Sequence, residues 1–315
     1  MVGTGRCRRN LHGFGMAAED ENQSAADFEH HTGDRYRHPF VTLPSDPIDH
    51  VHARIGVHIA PEGANDVLEL VPRPELLVHG CVRISALVLM VDMGGGFSAH
   101  RAASPDWTFT SDLSLRISAR PAPARIVSRT RVLRAGRGTM MTEVVLRGDD
   151  QPLGLGYAGF NRQARREGDH PNPDIDEASR RWGRYKALDA PLLDTVGVRV
   201  LDPASGRVEV ALRDELRNPA GALQGAMVAV IGEAAAEAML VHRGALRSVV
   251  TDIDIRYLAM GRVGPIHSHA RLLGDAPTDA IAVELYDRGR DDRIISTMLL
   301  RATAAPARPE PIRSL

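Results

Sequence analysis

The stretch Asp252-Ile253-Asp254-Ile255-Arg256 repeats the alternating pattern of Asp112-Leu113-Ser114-Leu115-Arg116, which stands 140 residues before it. Two more pairs of segments keep almost the same separation. Ile55-Gly56-Val57 matches Val196-Gly197-Val198 at an offset of 141, and residues 143–148 resemble residues 284–289 at the same offset. Three matches within one residue of a single offset indicate that the chain contains two copies of one domain.

Each copy shows the same order of predicted elements. A strand that starts at the Gly-Val pair and a second, alternating strand are followed by a turn, an apolar helix and a series of alternating strands. One long helix followed by an antiparallel series of strands predicts an α+β fold, with an antiparallel sheet wrapped around one long central helix in each copy. The predicted helices cover about residues 84–99 and 224–242, and the second strands 67–71 and 208–212. The strands after the helices are predicted at 108–117, 124–135 and 139–146 in the first copy, and at 248–257, 266–273, 280–286 and 294–302 in the second.

These elements divide the chain into five predicted segments. Residues 1–38 are polar and lack periodicity, so we predict a disordered tail, with Met16 as an alternative start to Met1. The first domain covers 39–160 and the second 191–305. Residues 161–190, rich in Arg, Asp and Pro, are predicted to form a linker with a short helix near 175–185, and 306–315 to form a C-terminal tail.

Composition indicates an ordinary globular protein, with 43% hydrophobic and 25% charged residues among 315. A formal net charge of −1 gives no general electrostatic reason to expect nucleic acid or an anionic membrane as partner. Two cysteines, Cys7 and Cys81, cannot form a disulfide framework or a metal cluster and suit a reducing cytoplasm. The most apolar stretch, residues 225–241, contains Glu233 and Glu237 and is interpreted as a core helix, without membrane insertion.

The second copy carries a motif around the start of its helix. It contains Asn218-Pro219-Ala220-Gly221-Ala222-Leu223-Gln224-Gly225-Ala226, followed by Glu233. This resembles the hotdog thioesterases of the phenylacetate-pathway (PaaI-like) type, which have an Asn, a Gly three residues later, a His- or Gln-Gly-Gly at the helix start and an acidic residue within that helix. Ala226 replaces the second glycine. Thr251 corresponds to the Ser or Thr that opens the next strand in the family.

The resemblance covers about 115 residues of the second copy well and the first copy weakly. In the first copy Asp92 occupies the acidic position, and either Thr110 or Ser111 occupies the hydroxyl position. Leu77 stands at the Asn position and Arg83-Ile84 at the Gln-Gly position. The first copy therefore keeps the acidic half of the motif and lacks the half that polarises a carbonyl group.

The chemistry implied by the resemblance is hydrolysis of acyl thioesters. The N–H groups at a helix start stabilise a developing oxyanion, and a carboxylate acts as general base or attacks directly. Glu233 lies eight residues after Gly225, or roughly 12 Å along the helix axis at 1.5 Å per residue. These two residues cannot converge on one carbonyl group, so each helix start needs a carboxylate from elsewhere.

In the family, a dimer solves this problem because each helix start faces the carboxylate of the other subunit. A tandem double hotdog would do so within one chain, as an intrachain pseudo-dimer. We predict one working site and one degenerate site, with Asp92 as the catalytic carboxylate and Glu233 as the alternative. The working site would combine Asn218, Gln224 and the Gly225 N–H with Asp92 and Thr110 or Ser111. The degenerate site would combine Glu233 and Thr251 with Leu77, Arg83 and Ile84.

The resemblance implies no cofactor and no metal, and an acyl-CoA or an acyl carrier protein as the partner that delivers the substrate. Arg256 and Arg262 are candidates to bind coenzyme A phosphates, and a solvated strand end is the simpler alternative explanation for them. His267 and His269 alternate on a strand, but no second pair accompanies them, so a metal site is not predicted. Esterase activity and further homo-oligomerisation stay open.

Two other functions compete within this fold. The enoyl-CoA hydratase type requires an Asp and a His five residues apart after the helix, and neither copy has this spacing, so we reject it. The other alternative is a protein that binds an acyl-CoA or an acyl carrier without turnover. Leu77 and Ile84 favour binding alone, whereas Asn218, Gln224 and Asp92 favour hydrolysis.

Overall fold

Two long helices and one large antiparallel sheet account for most of the described structure. This computed structural model describes residues 49–59, 67–165, 186–218, 220–276 and 280–307, all within one compact unit. The predicted tail 1–38, the predicted helix 175–185 and nearly all of 306–315 lie outside the described residues. Within the described part there are four α-helices: α1 (Val51–Arg54), α2 (Ile84–Ala103), α3 (Leu192–Val196) and α4 (Gly225–His242).

The strands occur in two matching series. Each series has two strands before its long helix and four after it. The first comprises β1 (His58–Ile59), β2 (Val67–Leu70), β5 (Trp107–Ile117), β6 (Ile126–Ala135), β7 (Thr139–Gly148) and β8 (Gln151–Gln163), with a small separate pair β3 (Leu77–Val78) and β4 (Cys81–Val82). The second comprises β9 (Arg199–Asp202), β10 (Arg207–Val210), β11 (Ser248–Tyr257), β12 (Ile266–Leu272), β13 (Ile281–Asp287) and β14 (Arg293–Ala304).

The large sheet has the order β1-β2-β6-β7-β8-β5-β11-β14-β13-β12-β10-β9. From one edge the order is β1-β2-β6-β7-β8-β5, and from the other edge it is β9-β10-β12-β13-β14-β11, so equivalent strands of the two series occupy equivalent places. The halves join where β5 pairs antiparallel with β11, with Leu113 opposite Ile255 and Leu115 opposite Ile253. The prediction of an α+β fold with an antiparallel sheet packed on long helices is therefore confirmed.

Both long helices pack on one face of this sheet, here called the inner face. Helix α2 contacts β5 to β8, α4 contacts β10 to β14, and the two helices contact each other. Almost every side chain of α4 up to Ala236 is buried. Helix α4 is long and apolar enough to cross a membrane, but buried core helices share these properties, and α4 contributes many of its residues to the hydrophobic core. The helix–helix contact is what brings the middle of α2 to the start of α4.

The prediction of only three strands after α2 was wrong. Strand β8 is a fourth, and it extends three residues into the predicted linker 161–190. Its glycines obscured the pattern, since glycine weakens a strand and is depleted there. Gly156 is needed because an added Cβ would lie 2.8 Å from the Val91 side chain of α2. The offset of 141 would have revealed this strand, because it places residues 151–163 on residues 292–304, where β14 lies.

Candidate active site

The start of α4 is capped by the residue that precedes it. Gln224 is the N-cap, and its Oε1 accepts hydrogen bonds from Ala226 N (2.6 Å) and Met227 N (3.2 Å). Gly225 is the first helical residue, so its N–H has no partner inside the helix, and no described residue accepts a hydrogen bond from it. One N–H group at the positive end of the helix dipole is thus available to a ligand.

Asp92, in the middle of α2, reaches this helix start from the other half of the chain. Gln224 Nε2 donates to Asp92 Oδ2 over 3.1 Å, and Thr110 Oγ1 donates to Asp92 Oδ1 over 3.1 Å. A Cβ placed on Gly225 would lie only 3.0 Å from Asp92 Oδ2. Glycine at this position therefore leaves the space that the carboxylate needs. The structure brings Asp92, Thr110, Gln224 and Gly225 together.

The environment of Asp92 changes its acidity. Burial raises the pKa of this carboxyl to about 6, against the opposing effect of the hydrogen bonds from Thr110 and Gln224. A carboxylate with such a pKa is mostly ionised at pH 7 and binds a proton more readily than an ordinary aspartate. This is the property that a general base requires.

The choice between Thr110 and Ser111 is resolved by a β-bulge. The register of β5 shifts between Thr110 and Asp112, and Ser111 Oγ donates to Asp112 Oδ2 over 2.8 Å. Thr251 occupies the equivalent bulge of β11 and donates to Asp252 Oδ2, also over 2.8 Å. Thr110 is therefore the hydroxyl that contacts Asp92. Thr251 makes no hydrogen bond to Glu233 among the described residues.

Asn218 shapes the loop before α4 instead of contacting Asp92. Its Oδ1 accepts hydrogen bonds from Ala220 N (3.0 Å) and Ala222 N (3.1 Å). Its own backbone N–H donates to Ala222 O over 2.7 Å. The predicted role of Asn218 in polarising a carbonyl group is therefore not visible in its contacts, which position the polypeptide leading to Gln224.

The two candidate phosphate-binding arginines lie in different places. Arg256 is exposed on the outer face of the sheet, opposite the helices, with its Nη1 2.7 Å from Asp254 Oδ1. It is not brought together with Asp92. Arg262 lies beside the loop before α4, with Nη1 4.0 Å from the position of a Cβ on Gly221. Its Nη2 contacts Met260 Sδ over 3.0 Å, and it makes no ion pair within the described residues.

Tyr257 is a residue of this site that the sequence analysis missed. Its hydroxyl donates to Gly225 O over 3.1 Å. Burial and the nearby charge of Asp92 raise the pKa of Tyr257 well above its usual value, so the hydroxyl stays protonated. The available signal was strand alternation: Ile253, Ile255 and Tyr257 share the inner face of β11, and the last of these reaches the helix start.

The start of α2 faces Glu233 in the equivalent arrangement, but with different partners. Glu233 is fully buried, and its Oε2 accepts hydrogen bonds from Ser85 N (3.2 Å) and from the Ser85 hydroxyl. Arg83 Nη1 lies 3.8 Å from Glu233 Oε1 and 2.7 Å from Glu237 Oε1. Ser85 and Glu237 were not predicted here. Arg83 therefore forms a hydrogen-bonded ion pair with Glu237 and lies at the outer limit of ion-pair distance from Glu233. Ile84 stands where α4 has Gly225.

No group of three or more His, Cys, Asp or Glu side chains among the described residues is placed to hold a metal ion.

Comparisons with known proteins identify the fold. No protein-family model matches the chain, and no curated protein matches it. Among solved structures, the tesB protein MAP1729c of Mycobacterium avium subsp. paratuberculosis superimposes with a TM-score of 0.53 at 15% identity, over 81% of this chain and 98% of that one. The acyl-CoA thioesterase II TesB2 of Mycobacterium marinum gives 0.52 at 10% identity, over 82% and 99%. The 12:0-ACP thioesterase of Umbellularia californica gives 0.51 at 8% identity, over 77% and 99%. These likenesses confirm the predicted hotdog fold.

Proposed function

We propose that the chain hydrolyses acyl thioesters at one composite site between two fused hotdog units. The units are residues 39–160 and 191–305, joined by the linker 161–190. The equivalent strand order in the two halves of the sheet supports this tandem arrangement. The observation that carries the proposal is the Asp92 carboxylate at the start of α4, with hydrogen bonds from Thr110 and Gln224 and close contact with Gly225.

The proposed reaction begins with the thioester carbonyl oxygen at the Gly225 N–H. Because Gln224 Oε1 already accepts from Ala226 N and Met227 N, the Gly225 N–H is the donor left for the developing oxyanion. Asp92 removes a proton from water as the water oxygen forms a bond to the carbonyl carbon. The C–S bond of the tetrahedral intermediate then breaks, and the thiolate leaves and receives the proton from Asp92. The products are a carboxylic acid and a free thiol.

The general-base route is the one that the acidity of Asp92 favours, since its pKa of about 6 is close to neutral pH. Direct attack by the carboxylate would instead form an acyl anhydride with Asp92. Single turnover in ¹⁸O-water, followed by mass spectrometry of the protein, tests for an anhydride that is hydrolysed at its aspartyl carbon. The base route places no ¹⁸O in the Asp92 side chain, whereas hydrolysis of the anhydride at its aspartyl carbon would place ¹⁸O there.

The site and the similar structures support coenzyme A thioesters or carrier-protein thioesters as the proposed substrate class. The similar structures include proteins named as an acyl-CoA thioesterase II and a 12:0-ACP thioesterase. Coenzyme A and acyl carrier proteins both present the thioester on a phosphorylated arm. We assign the binding of such a phosphate to Arg262, because it lies beside the Gly221 loop and has no carboxylate partner among the described residues. The PaaI-like assignment and the cytoplasmic location stay predictions.

The first experiment is thiol release from short, medium, long and aromatic acyl-CoAs. We expect the wild type to release thiol from at least one of them. Asp92→Asn should lower kcat by about 10²–10⁴-fold, the usual contribution of a general base. Glu233→Gln is the matched control and should keep kcat within about threefold, once circular dichroism has shown that it is folded.

Two outcomes would overturn the proposal. Loss of activity in Glu233→Gln, with Asp92→Asn active, would mean that the start of α2 is the working site. If the wild type binds an acyl-CoA or an acyl carrier protein but releases thiol from neither, the chain is a binding protein without turnover.

A further inference from the structure

A depression of about 360 Å³ opens on the outer face of the second half of the sheet. Its walls come from β9, β10, β12, β13 and the turn after β13. Along β12, Ile266, Ser268 and Ala270 are buried, whereas His267 and His269 alternate to the other side. Helix α4 packs on β12 and β13 from the inner face. The depression therefore lies on the opposite side of the sheet from α4. The side chains used below are Leu201, Arg207, His267, His269, Tyr286 and Arg288.

Two arginines and two histidines line this pocket, together with Asp292 at the rim. Among the described residues, Arg207 and His269 of the lining make no ion pair within 4.0 Å and no side-chain hydrogen bond, and the charge of Arg207 helps to lower the pKa of Asp202. Arg288 Nε is 2.9 Å from Asp292 Oδ1, but both side chains are about half exposed, and such pairs are weak and exchange readily. A ligand anion can therefore recruit Arg207 without breaking a strong internal pair.

His267 is held in a fixed orientation at the pocket wall. Its Nε2 lies 2.6 Å from Glu209 Oε2, and Arg199 pairs with the other oxygen of the same carboxylate. The hydrogen bond from His267 is the main cause of a lowered pKa of Glu209, followed by contributions from Arg199. An ionised carboxylate only accepts hydrogen bonds, so His267 donates through Nε2. The Glu209 carboxylate is thus already paired with His267 and Arg199 within the protein.

A ring and an aliphatic side chain complete the lining. The Tyr286 hydroxyl donates to Glu284, which fixes the ring and occupies the Glu284 carboxylate. Leu201 is partly exposed on the neighbouring edge strand. Together they offer apolar surface next to the basic groups. Ligand pockets commonly measure about 300–1,000 Å³ and combine apolar walls with a few converging polar groups.

We infer that this outer-face pocket binds a small molecule in which a phosphate monoester is joined to a flat ring, with the phosphate at Arg207 and His269 and the ring against Tyr286. Arg288 supplies a second guanidinium at the rim. A nucleotide has this chemistry, and it could be a free mononucleotide or the nucleotide end of coenzyme A. Because binding needs no thioester chemistry, the inference stands or falls separately from the proposed hydrolysis.

Isothermal titration calorimetry with AMP, adenosine 3′,5′-bisphosphate, adenosine and inorganic phosphate tests this inference. We expect at least one of the two nucleotides to bind, and adenosine and phosphate alone to bind at least tenfold more weakly. Arg207→Ala should raise the Kd of the bound nucleotide at least tenfold, and Tyr286→Leu should raise it several-fold. Arg301→Ala is the matched control, because Arg301 is exposed on β14 outside the pocket, and its Kd should stay within twofold.

The nucleotide arms identify the source: preference for the bisphosphate supports the nucleotide end of coenzyme A, and preference for AMP supports a free nucleotide. The inference is overturned if neither nucleotide binds the wild type. It is also overturned if Arg301→Ala weakens binding as much as Arg207→Ala, since the attraction would then be general surface charge. His269→Ala repeats the test at a second side chain of the pocket.

Discussion

The start of each long helix faces a carboxylate from the other long helix, and these two equivalent carboxylates have different kinds of partners. At the start of α4, Asp92 is held by the neutral donors Thr110 and Gln224. At the start of α2, Glu233 is held by Ser85 and lies within 3.8 Å of the Arg83 guanidinium. Neutral donors orient a carboxylate and leave its charge available, whereas a guanidinium compensates that charge. The cation at the second site therefore converts a candidate catalytic group into part of an internal ion-pair cluster.

The largest expected effect comes from removing that cation. Arg83→Met leaves Glu233 and Glu237 together without a positive partner, and breaking a buried pair in this way costs about 3–5 kcal/mol. Urea unfolding at pH 8 should show this loss. Arg83→Met/Glu237→Gln is the control and should recover part of the stability, because it removes one of the two facing carboxylates.

The same variant should depend on pH. Burial raises the pKa of Glu237 to about 7 in the folded protein, and Arg83 opposes this rise. A carboxyl group whose pKa is higher in the folded than in the unfolded protein destabilises the fold once it must ionise. For Glu237, the free energy of unfolding therefore falls as the pH rises from about 4.5 to beyond 7. The loss in Arg83→Met should be smaller at pH 5 than at pH 8. An equal loss at both values would show that the charges are not its cause.

The second effect contrasts the two carboxylates directly. Burial raises the folded pKa of Asp92 from 3.8 to about 6, so its contribution to stability falls as pH rises between these values. Asp92→Asn should therefore stabilise the protein above pH 6 by about 1–3 kcal/mol, with no gain below pH 4. Thermal unfolding at pH 8 measures it. Glu233→Gln is the control and should not stabilise the protein, because Arg83 would lose a partner. A lower Tm for Asp92→Asn than for the wild type would contradict the proposed difference between the two sites.

A smaller effect separates the two adjacent hydroxyls of β5. Thr110→Val removes a hydrogen bond that lowers the pKa of Asp92. Under the proposed mechanism kcat/KM should fall about tenfold, or about 1.4 kcal/mol, and the acid limb of its pH profile should move above pH 6. Ser111→Ala should change neither quantity, since Ser111 donates to Asp112. Equal effects of the two substitutions would mean that the position assigned to the β-bulge is wrong.

The smallest effect concerns Tyr257, whose counterpart in the first half is Ile117. Tyr257→Phe removes the hydrogen bond to Gly225 O, worth about 0.5–1.5 kcal/mol. We expect kcat to fall two- to tenfold with KM and the acid limb unchanged, as for a residue that positions the helix start. Ile117→Leu is the control. A shifted acid limb would instead mean that Tyr257 acts on the ionisation of Asp92.

Sequence patterns were most informative where they were periodic or repeated. The offset of 140–141 and the apolar helices gave the element order, and the Asn218-to-Glu233 motif led to the hotdog fold. The glycine-rich strand β8 was missed because the positions of its glycines are set by close packing against α2. A local sequence pattern does not reveal such packing. Arg256 and Tyr257 show the same limit. They are neighbours in sequence, but alternation places only Tyr257 toward the helix start.

The sequence by itself determined that Asp92 and Gln224 lie in different halves of the chain. It also determined that Gly225 and Glu233 are too far apart along one helix to act on the same carbonyl group, because helix geometry sets a fixed rise per residue. Only the tertiary structure decided which hydroxyl meets Asp92, because a bulge of one residue changes which side chain faces inward. It also decided that Ser85 and Glu237 join Arg83 around Glu233. These contacts depend on how α2 lies against α4, and that packing is set by the whole core rather than by any segment of it.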